Sequence, residues 1–351
     1  MKYRNPIISG YNPDPSICRV GEDYYIVNSS FEFYPGVPVY HSRNLVNWEL
    51  EGYCLTEESQ LDLHGCRPSG GIYAPTIRYH QGTFFMTTTN TSGKGNFIVH
   101  TTDMKKGWSK PAWVDQGGID PSLLFDDDGT VYFASTSMDS EGKTGIFLCQ
   151  VNPFTGERLT ESVVISRGCG GRYAEGPHLY KWFGKYYLML AEGGTEYGHM
   201  ETILRSDSPY GPFEACPHNP ILTHRDDMRE EIYCTGHADM IEDHNGNWWL
   251  VCLAIRPCQE KKDRVLLHNL GRETFFDAGC VDRRRMAHCR GKRFDLTGDG
   301  RSPFPEKGRH RSIVILQTIF SQDRFSLHYN FLRNPSMENY VRDTAKRKLI
   351  L

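Results

Sequence analysis

The chain has 351 residues, with 40 Lys and Arg against 43 Asp and Glu, for a formal net charge of −3 with His neutral. A hydrophobic share of 38% and a charged share of 24% exclude a disordered chain, and the near-balanced charge argues against a nucleic-acid partner. No apolar run reaches the ~18–20 residues of a membrane span. The start, MKYRNPIISGYNPDPS, has no continuous apolar stretch of the kind a signal peptide needs. Eleven cysteines, without a closely spaced pair, argue for reduced thiols and a cytoplasmic location rather than a disulfide framework.

In chain order, five segments share one pattern. They are DPSICRVGEDYYIVNSS from Asp14, APTIRYHQGTFFMTTTN from Ala74, DPSLLFDDDGTVYFAST from Asp120, EGPHLYKWFGKYYLMLAEGG from Glu175 and GHADMIEDHNGNWWLVCLA from Gly236. Each has a lead residue, a short apolar stretch, a polar turn containing Gly and an aromatic-rich run, which together predict a β-hairpin. From lead to second run the offsets are ten or eleven residues, with His237 as the fifth lead. Repeats of about 40–50 residues, each a four-stranded sheet, mark a β-propeller. The expected fold is all-β: a five-bladed β-propeller over 1–276.

In a propeller the inner strands run along one channel, so Asp14, Ala74, Asp120, Glu175 and His237 are expected to converge at one end of it. Convergent carboxylates raise one another's pKa, and one acid with one base is the machinery of glycoside hydrolysis. The alternative is that each Asp-Pro merely caps a turn; three acidic leads in register favour chemistry. Asp126, Asp127 and Asp128 read as a solvated hairpin turn, because no Glu follows at EF-hand spacing.

At these residues the chain resembles glycoside hydrolase family 43, and within it the β-xylosidases and α-L-arabinofuranosidases. The matching stretches include NPIISGYNPDPSICRVGEDYYIVNSSFEFYPG, GGIYAPTIRYH, GGIDPSLLFDDDG, YAEGPHLYK, GTEYGHMETILRSDSPYGPFE, TGHADMIE and LGRETF, covering about residues 3 to 276. The resemblance implies inverting hydrolysis of xylo-oligosaccharides or arabinosides from the non-reducing end. Asp14 would be the general base and Glu175 the general acid, with Asp120 tuning the acid. The acid and base carboxyls are expected ~6.5–9.5 Å apart, to admit a water. Arg272, Phe31, Tyr73, Ala74 and His237 are expected to meet substrate, Tyr73 standing where a tryptophan is usual. Its hydroxyl therefore needs a partner. Thr195, Glu196 and His199 are expected at the rim. The resemblance requires no cofactor and no metal ligand is assigned, although it admits calcium near His237.

After LGRETFF the resemblance stops. Residues 277–312 hold ten basic and five acidic residues, a local +5 in a chain of net −3. This stretch reads as an anomalous basic linker (277–325): a solvated connection, a locally frame-shifted text or, least in keeping with the rest, a nucleic-acid patch. Family-like text resumes at Ser326, resembling the start of a C-terminal β-sandwich. Residues 326–351 are too few for a whole sandwich of ~100 residues. The expectation is therefore an incomplete β-sandwich segment, which weakens any homo-oligomer. A catalytically impaired carbohydrate-binding propeller is the alternative reading of function.

Overall fold

A computed structural model describes residues 3–226, 232–256, 271–280, 288–289, 331–332, 341–343 and 348–349. Five antiparallel sheets follow one another along the chain. Blade 1 comprises Ser16–Val20, Asp23–Val27, Gly36–Ser42 and Glu49–Leu55. Blade 2 comprises Thr76–His80, Thr83–Asn90, Gly95–Thr101 and Ala112–Trp113. Blade 3 comprises Ile119–Phe125, Val131–Met138, Thr144–Gln150 and Val163–Ser166. Blade 4 comprises Glu175–Trp182, Lys185–Glu192, Met200–Ser206 and Glu214–Ala215, with Leu222–Thr223 added beside its third strand. Blade 5 comprises Tyr233–Glu242, Trp248–Ile255, Glu273–Cys280 and His288–Cys289. The first strand of each blade touches that of the next, and the fifth touches the first, so the ring closes as a five-bladed propeller. Each inner hairpin turns through a glycine at positive φ, Gly21, Gly82, Gly129, Gly184 or Gly246, a conformation that disfavours any residue with a Cβ.

Period-two alternation explains the packing, since consecutive strand residues face opposite sides of a sheet. Phe84 packs toward blade 1 with Cys18 and Val27, whereas Phe85 packs toward blade 3 with Leu123 and Phe133. Tyr132 and Leu148 meet Leu179 and Leu188 between blades 3 and 4. Tyr187 and Met189 meet Met240 and Leu250 between blades 4 and 5. Ile17 and Tyr24 meet Trp249 and Phe276, closing the ring between blades 5 and 1. Both faces of every blade are thus buried, which is why the aromatic-rich runs carry so few polar positions.

The seam is also stitched by backbone and amide bonds. Asn5 Nδ2 donates to the Phe276 carbonyl at 2.9 Å, and the Phe276 amide donates to Asn5 Oδ1 at 2.9 Å. Ile8 and Thr274 form an antiparallel bridge, and the Asn12 amide donates to the Arg272 carbonyl at 2.9 Å.

Asp126 corrects one expectation. It is buried, not solvated, and pairs with the Lys181 ammonium while accepting from the Tyr186 hydroxyl at 2.5 Å. The blade 3 turn reaches the inner hairpin of blade 4, so one of its three carboxylates is drawn into the interface.

The third strand of blade 5 continues through Cys280, paired to the strand Trp248–Ile255, into the segment that shows no strand periodicity in sequence. Most of the anomalous stretch 277–325 and of the sandwich segment lies outside the described residues. Within the latter, Phe331–Leu332 pairs with Phe33–Tyr34 and Val341–Asp343 with Lys348–Leu349. No disulfide links Cys18, Cys54, Cys66, Cys149, Cys169, Cys216, Cys234 or Cys252, and among the described residues no helix is long and apolar enough to cross a membrane.

Candidate active site

The inner strands bring their lead residues together through a shared irregularity. Pairing breaks between Ile119 and Ser122 in blade 3, Glu175 and His178 in blade 4, and Gly236 and Asp239 in blade 5. Regular pairing then begins at Ser122, His178 and Asp239, as it does at Ser16 in blade 1 and Thr76 in blade 2. Two residues before these starts stand Asp14, Ala74, Asp120, Gly176 and His237. The fourth equivalent position is therefore Gly176, and Glu175 lies one residue earlier, level with Tyr73 of blade 2. The backbone agrees: Asp14, Asp120, Gly176 and His237 have φ of 51°, 54°, 56° and 51°. Bulges of this kind re-aim a side chain. At Gly176 a Cβ would stand 3.1 Å from the His237 ring, so any side chain there would press on that imidazole.

Asp14, Asp120 and His237 are buried, and Glu175 is half-buried. Burial works against the charge on Asp14. It is overcome by Arg272, whose Nη1 donates to Asp14 Oδ1 at 2.6 Å, then by His237, whose Nδ1 is 4.0 Å away, and by the Ser29 hydroxyl. The carboxyl is held below its ordinary range, hence ionised near neutrality. Glu175 moves the opposite way: burial raises its pKa, and the Asp14 charge raises it further. Asp120 is pushed well up by burial and by Glu175 and Asp14, while the Gly176 amide that it accepts opposes the shift. The three carboxyls are thus coupled: the Asp14 charge raises Glu175, and Asp14 and Glu175 together raise Asp120.

Phe31, Tyr73 and Tyr11 pack into an aromatic wall. The Phe31 ring lies 5.2 Å from Tyr73 and 5.9 Å from Tyr11, and the Arg272 guanidinium sits 5.4 Å over Phe31. The Tyr73 hydroxyl finds its partner in the Ser69 carbonyl at 3.1 Å. Ala74 is buried, 4% exposed, at the base of this wall. Thr195 and Glu196 are exposed, but His199 is not at the rim. It is buried and its Nδ1 bonds the Cys234 carbonyl at 2.8 Å. Burial lowers its pKa to about 4, which keeps the ring neutral, with Nδ1 carrying the proton it donates.

Below the carboxylates lies a buried polar layer that the sequence does not announce. Arg78 Nη1 and Nη2 donate to Asp239 Oδ2 and Oδ1 at 2.7 and 3.2 Å. Asp239 also accepts from Ser16 and, at 2.7 Å, from the Tyr180 hydroxyl, and Arg78 Nη2 is 3.0 Å from His178 Nδ1. Burial depresses His178 to about 3, so it meets the guanidinium as a neutral acceptor. Four blades are joined at the axis by this cluster. Ser16, His178 and Asp239 are the residues two beyond Asp14, Gly176 and His237, a position that period-two logic would have marked as axial.

At His237 the chain itself offers few oxygen donors for the expected calcium, so water would have to supply most of its ligands. That cation takes 6–8 oxygen ligands, whereas His237 offers nitrogen and the two Asp14 oxygens are taken by Arg272 and Ser29. Among the described residues no group of three or more His, Cys, Asp or Glu is placed to hold a metal. Two cavities, of about 600 and 380 Å³, open toward the hairpin-turn end, around Phe85, Phe125 and Phe154 and around Arg78, Trp182 and Trp248. Neither is lined by Asp14, Asp120 or Glu175, which stand at the other end of the inner strands.

Comparison with known proteins agrees with this geometry. The chain is 42% identical over 341 residues to a non-reducing end alpha-L-arabinofuranosidase of Bacteroides ovatus, covering 95% of this chain and 62% of that protein. It is 46% identical over 282 residues to a xylosidase/arabinosidase of Butyrivibrio fibrisolvens, covering 77% and 53%. The crystal structure of xylan beta-1,4-xylosidase from Bacillus halodurans superposes with a TM-score of 0.87 at 34% identity, covering 95% of this chain and 65% of that one. The chain therefore spans between half and two thirds of the length of these relatives. The family model described as glycosyl hydrolases family 43 matches residues 3–278, nearly the whole propeller, and the chain belongs to that family.

Proposed function

We propose that the chain is an inverting glycoside hydrolase that releases xylose or arabinose from the non-reducing end of xylo-oligosaccharides or arabinosides. The observation that carries this reading is the opposed pair at one mouth of the channel: the Asp14 pKa is held down and the Glu175 pKa is pushed up. Pushing two carboxyls apart in pKa is how one site supplies base and acid together. Asp14 takes a proton from water as the water oxygen bonds the anomeric carbon. The bond from that carbon to the leaving oxygen breaks, and Glu175 gives that oxygen its proton. One water is consumed, the sugar leaves with inverted configuration, and the two carboxyls exchange protonation states until solvent resets them. Asp120, itself pushed toward the neutral form, accepts the Gly176 amide and so steadies the backbone beside Glu175. Arg272 orients Asp14 and, with Phe31 and Tyr73, lines the glycone side. The names of the relatives, arabinofuranosidase and xylosidase, support a pentose glycone.

Proton NMR of the first product from xylobiose and from an α-L-arabinofuranoside tests activity, substrate choice and stereochemistry at once. Inverted product is expected. Retained configuration would remove Asp14 from the base role, and sugar binding without product would leave the binding-propeller reading. Asp14→Asn and Glu175→Gln should each lower the rate by about 10²–10⁴.

A further inference from the structure

Tyr173 is exposed (53%) and adopts φ of 53°, a left-handed conformation that non-glycine residues seldom take and that marks functional sites when the surroundings enforce it. The surroundings do so here. The Gly193 amide donates to the Arg172 carbonyl at 2.6 Å, and the preceding turn is tied down by the fully buried Glu192, which accepts the Cys169 and Gly171 amides at 2.7 and 2.6 Å. A Cβ on Gly194 would touch the Tyr173 ring at 3.1 Å, so that edge of the ring rests on a glycine turn. The Arg172 guanidinium covers one face at 4.8 Å and its Nη2 donates to the Tyr173 hydroxyl at 2.7 Å. A half-exposed aromatic ring is thus held against a glycine turn with a cation over it, two residues before Glu175.

We propose that Arg172 and Tyr173 form the platform for the sugar on the leaving-group side of the scissile bond. This rests on the hydrolase reading above, in which Glu175 protonates the leaving oxygen, so that a ring beside Glu175 stands on the leaving side. The exposed part of the Tyr173 ring stacks on the apolar face of a pyranose, and Arg172 fixes the ring while its remaining donors face sugar hydroxyls. The platform therefore selects glycosides whose leaving group is itself a sugar.

The test compares two substrates with one glycone, xylobiose and β-xylosyl fluoride, whose single-atom leaving group cannot reach the ring. Tyr173→Ala should lower the ratio of kcat/KM on xylobiose to that on the fluoride about tenfold or more, and Tyr173→Trp should restore most of it. Tyr173→Phe, which keeps the ring, should stay within a few-fold of the parent ratio. An unchanged ratio after Tyr173→Ala, whether both rates fall together or neither falls, would overturn the proposal. Calorimetry on the Glu175→Gln protein gives a readout without turnover: Tyr173→Ala should weaken xylobiose and not xylose. Equal weakening of both sugars would overturn it as well. Failure of the parent protein to cleave either substrate, with the Tyr173 dependence of binding intact, would count against the hydrolase reading alone.

Discussion

Replacing Arg272 by Met removes the cation that keeps Asp14 ionised. Asp14 is 6% exposed and Arg272 21%, so water offers little substitute for the lost charge. What remains beside the carboxylate is the Ser29 hydroxyl and a His237 that burial drives toward its neutral form. An arginine in contact lowers a carboxylate pKa by about 1–3 units, equivalent to about 1.4–4 kcal/mol of preference for the charged form. With that preference gone burial dominates, and the Asp14 pKa rises from below the usual range to above it. The base is lost as pH falls through its pKa, so a raised pKa brings the loss in at higher pH. The acidic limb of kcat/KM, which reports the free enzyme, should move up by about 1–3 pH units. Arg272→Lys, which retains the charge, should recover most of the displacement. The assay is hydrolysis of 4-nitrophenyl β-xyloside or α-arabinofuranoside across the acid and neutral range, with circular dichroism to show that the fold survives. A variant that loses rate uniformly, its acidic limb unmoved, would refute the idea that Arg272 sets the Asp14 charge. Arg272 would then act on the sugar alone.

Three further outcomes follow from the same geometry. Asp120→Asn, which substitutes a neutral group for one already pushed toward neutrality, should leave the alkaline limb within about one pH unit of the parent; a larger fall would show that Asp120 carries the charge that raises Glu175. Gly176→Ala combines a positive φ, worth about 1–2 kcal/mol of strain in a residue with a Cβ, with a 3.1 Å approach to His237, and should lower kcat at least tenfold while circular dichroism stays native. Phe133→Ala empties a fully buried position between blades 2 and 3. It should cost about 3–5 kcal/mol in denaturant titration and leave the pH profile in place.

The five hairpins are legible in the sequence because each repeats a turn glycine and a run buried on both faces, and ladder pairing preserves that rhythm. The candidate site is legible where it depends on the same rhythm, at Asp14, Asp120 and His237. It blurs in blade 4, where the bulge lets Glu175 stand one residue ahead of the slot that Gly176 fills. Ser29 lies just past the strand Asp23–Val27 and His199 just before the strand Met200–Ser206, so only the folded arrangement brings them to Asp14. Arg78 and Asp239 are separated by 161 residues and belong to blades that are not consecutive, a meeting that no local pattern encodes. Asp126 misleads for the opposite reason: its three-carboxylate turn looks solvent-facing until blade 4 is packed against it.

The seam between blades 1 and 5 carries more than mechanical closure. Asp14 and its guanidinium partner are 258 residues apart in sequence, yet meet 2.6 Å apart, across that seam. Glu175 sits in the middle of the chain and needs neither end to be placed on its strand. A partly assembled ring of four blades would hold Glu175 while Asp14 stood without its counter-ion. Such long-range contacts form late, because loop closure must come before any gain from pairing. Hydrolytic competence should therefore appear as the final event of folding, and any ligand that bridges Asp14 and Arg272 would act as a clasp on the whole ring.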